Sequence, residues 1–107
     1  MNYTTLISVA ALASHLDDPN LVVFDCRHDL ADPLFGAQAY AESHIAGARF
    51  ASVDRNLSGP LTGTNGRHPL PNAGVFTAWL GRMGVSSASQ VVAYDHAGGA
   101  YAARLWW

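Results

Sequence analysis

QVVAYDHAGG, residues 90–99, changes character halfway along its length. Val91, Val92, Ala93 and Tyr94 form an unbroken apolar run that begins with β-branched residues, the pattern of a strand covered on both faces rather than one. The run predicts a strand in the middle of a parallel sheet. Asp95, His96, Ala97, Gly98 and Gly99 then turn the chain, and AYAARLWW, residues 100–107, favours helix. In open α/β sheets such strand-to-helix turns carry chemistry, because backbone N–H groups at the turn converge on one point and bind anions there.

Working outward, the same alternation recurs. Ser8 is a good helix N-cap, and Val9, Leu12 and Leu16 follow at helical spacing until Asp17, Asp18, Pro19 and Asn20 interrupt it. Leu6 and Ile7 before it suggest a short strand. Leu21, Val22, Val23 and Phe24 make a second apolar run, ending in the polar cluster Asp25, Cys26, Arg27, His28. A short helix is expected over 37–43 and a third strand near 49–53. Phe76, Trp79, Leu80 and Met83 share one helical face, closed by Gly84 as the C′ residue. Strands alternating with short helices indicate a parallel α/β sheet. Between them, 54–71 carries Gly59, Pro60, Gly63, Gly66, Pro69 and Pro71, too many breakers for regular structure; long loops of this kind are functional or interface elements.

Length and composition bound the rest. At 107 residues and 50% apolar residues the chain is one small domain. A net charge of −2, with six Lys and Arg together, leaves no electrostatic footprint for nucleic acid or an anionic membrane surface. No apolar stretch reaches membrane-spanning length and MNYTTLIS does not read as a signal peptide, so the expected location is the cytoplasm. The single cysteine, Cys26, has no partner for an internal disulfide. No paired His motif or GxGxxG is present, so neither a metal nor a nucleotide cofactor is expected. Trp106 and Trp107 read as core-facing packing residues, and a chain ending on them reads as a domain incomplete at its C-terminus.

LVVFDCR at 21–27, AYAESHIAGARFASVD at 39–54, GRHPLP at 66–71, GRMGV at 81–85 and VVAYDHAGGAYAARLWW at 91–107 together resemble the N-terminal domain of the tandem-domain rhodanese family, the thiosulfate and 3-mercaptopyruvate sulfurtransferases. The resemblance implies an α/β domain over residues 1–107 with a mostly parallel sheet flanked by helices. It also implies a fifth strand, inserted inside the sheet between the first strand and the fourth at 91–94, for which no residues remain. Unpaired strand edges there predict a gap, or pairing with a partner, including homo-oligomerisation through the open edge.

The resemblance further implies that the catalytic copy of this domain opens its loop after the fourth strand with a sulfur-carrying cysteine. Here that position is Asp95, and a carboxylate neither accepts sulfur nor welcomes an anion at the same amides. The expected role is therefore the non-catalytic half of a sulfurtransferase that moves sulfane sulfur from thiosulfate or 3-mercaptopyruvate to an acceptor such as cyanide. Its partner would be a C-terminal rhodanese domain carrying the cysteine. Asp54, Arg67 and His68 are the candidates for the substrate cleft: a histidine oriented by a carboxylate moves protons near neutral pH, and an arginine binds an anionic sulfur substrate. Cys26, Asp25 and Arg27 read as structural, and His44 as bonded to backbone. The alternative is a rhodanese-like binding or regulatory module without sulfur chemistry; a phosphatase relative is not supported, because 95–101 lacks a Cys and Arg bracketing an anion loop.

Overall fold

A computed structural model describes residues 3–59 and 69–106. The elements run α1 (Val9–His15), β1 (Leu21–Asp25), α2 (Phe35–Glu42), β2 (Arg49–Phe50), α3 (Ala73–Arg82), β3 (Gln90–Tyr94) and α4 (Ala102–Trp106). The three strands form one parallel sheet in the order β2-β1-β3, with Asp25 opposite Phe50 on one side and Tyr94 on the other. This is the α/β architecture that the alternating pattern predicts.

Local chemistry explains the helix ends. Ser8 caps α1 by accepting from the Ala11 N–H at 3.1 Å. Asn72 caps α3, its side-chain oxygen accepting from Gly74 and Val75. Gly84, at φ 93°, stops α3 in the left-handed conformation. Its N–H donates to Gly81 at 3.1 Å and that of Val85 donates to Leu80 at 3.0 Å, the paired bonds of a Schellman ending.

The sheet separates two apolar layers. On one face Val22, Phe24, Ala51, Val53 and Leu57 pack with Trp79 of α3 and Leu105 of α4; on the other Val23, Ala48 and Val92 pack with Leu12 of α1. Phe24 is fully buried with its ring 5.3 Å from that of Trp79, so this side chain alone contributes about 1.5–3 kcal/mol of burial. Gly36 is required by a close approach: a Cβ there would run into the Arg27 carbonyl and crowd the Phe50 ring.

Three expectations are corrected. The interior strand is β1, buried from Val22 to Asp25, whereas β3 lies at the sheet edge with only Val92 buried. No strand forms at Leu6 and Ile7. Trp106 is 64% exposed, its indole N–H reaching the Thr4 carbonyl at 3.4 Å, so it is not a core residue; Trp107 lies outside the described residues. These departures share a cause. Beside the outer edge of β3 runs an open apolar groove of about 510 Å³, lined by Leu6, Ile7, Val91, Ala93, Leu105 and Trp106. A run apolar enough for an interior strand is left half-covered along this groove.

Candidate functional site

The polar residues that follow β1 and β3 meet at the carboxyl end of the sheet. Asp25, with no exposed surface, ends β1. Arg27 grips its carboxylate through Nε at 3.1 and 3.0 Å and through a terminal nitrogen at 2.6 Å, and the same nitrogen donates to the Ser43 carbonyl. Tyr94, at the end of β3, donates its hydroxyl to Asp25 at 3.0 Å and accepts from the Ile45 N–H at 3.2 Å. The hydrogen bond to Asp25 holds the Arg27 guanidinium above its ordinary pKa, and burial raises that of Tyr94. Asp25 and Arg27 are therefore a lock joining two strand ends to the loop before β2, the structural role expected. Tyr94 was not singled out from the sequence, because only the parallel register places it directly opposite Asp25.

Cys26, next along, is completely buried, and burial first, then the charges of Asp25 and Asp95, push its thiol up to about 12. The thiolate is the nucleophile in sulfur chemistry, and burial disfavours that form here. The shift carries a pH consequence. A folded pKa above the unfolded value means that stability is fully present below about pH 9 and declines as pH rises from there toward about 12. Cys26→Ser is expected to flatten this alkaline limb, checked by chemical denaturation across that pH range.

The loop after β3 is organised by Asp95. Its carboxylate accepts four backbone N–H groups, from Ala97 at 2.8 Å, Gly99 at 2.9 Å, Tyr101 at 2.7 Å and Ala102 at 2.8 Å. Gly98 and Gly99, at φ 69° and 94°, let the chain curl tightly enough to aim these groups at one point. Burial raises the carboxyl pKa, but the four amides outweigh it and hold the group below the usual carboxylate range. The convergence of amides anticipated from the sequence is present, and its centre holds the chain's own carboxylate. Around it, His28 packs edge-on against Tyr101 with ring centroids 5.1 Å apart, and His96 lies 5.0 Å from Phe35.

Of the three cleft candidates, Asp54 is exposed in the turn after β2, while Arg67 and His68 lie outside the described residues. Asp54 lines a cavity of about 340 Å³ between 54–59 and α3, walled by Phe76 and Trp79 and shared with Arg55 and Arg82. The two arginines were not singled out from the sequence, because they are distant along the chain and only the packing of the turn on α3 brings them to one pocket. His44 donates through Nδ1–H to the Tyr40 carbonyl at 2.7 Å, as its backbone-bonding role predicts. Among the described residues no group of three or more His, Cys, Asp or Glu is placed to hold a metal, and no helix is long and apolar enough to cross a membrane.

The strand-ending ion pair and the four-amide turn both stand at the carboxyl end of the parallel sheet. A family profile described as the rhodanese-like domain matches residues 8–107, and the chain belongs to that family. It is 46% identical over 108 residues to a probable 3-mercaptopyruvate sulfurtransferase of Pseudomonas aeruginosa, covering 100% of this chain and 38% of the relative. It is 30% identical over 113 residues to the 3-mercaptopyruvate sulfurtransferase of Escherichia coli K12, again covering 100% and 38%. The 3-mercaptopyruvate sulfurtransferase from Leishmania major superposes with a TM-score of 0.85 at 33% identity, covering 94% of this chain and 28% of that one. The chain thus spans less than two fifths of the length of these relatives, which leaves room in them for a further domain.

Proposed function

We propose that the chain is the N-terminal, non-catalytic rhodanese domain of a sulfurtransferase that moves sulfane sulfur from 3-mercaptopyruvate or thiosulfate to a thiophilic acceptor such as cyanide. The observation that carries this reading is Asp95. Its carboxylate fills the ring of amides in which a persulfide and its anionic donor would otherwise sit, and the chain's single thiol is buried and protonated. Neither group takes up sulfur, so the transferring cysteine belongs to a second domain. The names of the relatives favour 3-mercaptopyruvate as donor.

In this reading the domain supplies a wall and polar groups rather than the nucleophile. Asp54 stands on an exposed turn beside a pocket, its role to orient His68 as a proton carrier or to steer a substrate, with Arg67 as an anion contact. The fifth strand comes from residues beyond 107 and fills the groove along β3. A full-length protein assayed with 3-mercaptopyruvate and cyanide is expected to form thiocyanate at an undiminished rate after Cys26→Ser and at none after replacement of the cysteine of the second domain. Loss of turnover on Cys26→Ser would overturn the proposal.

A further inference from the structure

All six of the chain's non-histidine cations are arginines, and five of them lie among the described residues. Three are committed: Arg27 to Asp25 and Ser43, Arg49 to the Gly47 carbonyl, and Arg104 to the Leu57 carbonyl at 2.6 Å. Neither the Arg55 nor the Arg82 guanidinium has a partner among the described residues. Both line the same cavity of about 340 Å³. Its wall is the stacked pair Phe76 and Trp79, with centroids 5.8 Å apart and planes inclined by 28°. The neighbouring polar side chains are already used: Asn72 caps α3, and the Ser58 hydroxyl donates to the Val53 carbonyl at 2.6 Å.

We propose that this pocket binds a small 2-oxo carboxylate as a monoanion, its carboxylate on Arg55 and Arg82 and its planar body against Phe76 and Trp79. Guanidinium matches carboxylate geometry, and a flat, partly apolar body suits an aromatic wall. Among the described residues the charged lining is Arg55, Arg82 and Asp54, and the guanidinium forks with a flat aromatic wall suit a planar carboxylate better than tetrahedral thiosulfate. The proposal rests on the sulfurtransferase reading for its ligand. A 2-oxo acid there is either the donor 3-mercaptopyruvate or the pyruvate left once its sulfur is gone.

The test uses the full-length protein in two arms. In the first, sodium pyruvate is titrated while the Arg55 and Arg82 Nε–Hε resonances are followed by NMR, with sodium thiosulfate as the dianion comparison. Saturable shifts at both resonances are expected, with pyruvate binding more tightly; Arg55→Ala or Arg82→Ala each weakens it about 3–10-fold, and Arg82→Lys restores part of the loss. In the second, the Arg55→Ala/Arg82→Ala double variant is expected to raise KM for 3-mercaptopyruvate about tenfold or more while kcat stays within about twofold. A rise in KM identifies the donor as occupant; pyruvate binding with KM unchanged identifies the product. Absence of shifts at both arginines, or tighter binding of thiosulfate, overturns the proposal. A protein that transfers no sulfur but still binds pyruvate at these arginines overturns the functional reading and leaves the pocket standing.

Discussion

Asp25→Ala is expected to lower the unfolding free energy by about 3–5 kcal/mol, the range for removing one partner of a buried ion pair and stranding the other. The size follows from what the carboxylate does. It has no exposed surface, takes three side-chain contacts from Arg27, a backbone N–H from the same residue at 2.9 Å and the hydroxyl of Tyr94. Without it, Arg27 keeps only the Ser43 carbonyl, and the loop leading into β2 loses its hold on the strand ends. The Arg27 side chain is 19% exposed and can regain some water, which places the loss nearer the lower end of the range. Tyr94→Phe, which removes one hydroxyl from the same cluster, is expected to cost about 1 kcal/mol. The Asp25/Tyr94 double variant should lose less than the sum of its parts, because the two side chains share one bond. Urea denaturation at constant m-value reads these differences directly. A loss below about 1 kcal/mol for Asp25→Ala would show that the lock is decorative.

The second large effect is expected at Asp95. Alanine there removes the side-chain acceptor of four N–H groups, at a cost of about 2–4 kcal/mol, less than four full bonds because water reaches part of the loop. Asparagine retains an acceptor oxygen but not the charge, so it separates loop shape from electrostatics. The pH dependence has a definite sign. The folded carboxyl pKa lies below its ordinary value of 3.8, so the stabilisation is present above about pH 4 and is lost as pH falls through the lower folded value. Asp95→Asn should flatten that acid limb. Thermal unfolding followed from neutral pH into the acid range checks it, and an acid limb as steep as that of the parent would refute the assignment.

The two sites differ in how openly the sequence announces them. Asp95 follows an apolar run and precedes two glycines, so both the turn and its converging amides are legible from composition over ten residues. The ion pair of Asp25 and Arg27 is visible as an aspartate and an arginine two residues apart at a strand end. Its third member is not, since Tyr94 lies 69 residues away and meets Asp25 only through parallel pairing. Arg55 and Arg82 are hidden for the same reason: nothing in the sequence links the GRMGV stretch that holds Arg82 to Arg55, and their shared pocket exists only once the turn after β2 packs against α3.

Local patterning alone therefore determined the helices, the Ser8 and Gly84 helix ends, the three strands and the parallel α/β class, because each is written in spacing and punctuation over a few residues, while the family was legible from the resemblance of five stretches along the chain. Tertiary structure decided which strand is interior, how deeply Cys26 is buried, that Trp106 faces outward and which arginines converge. An apolar run states that a strand needs cover on both sides; whether it obtains that cover depends on what lies next to it in space, and along β3 that neighbour is an open groove.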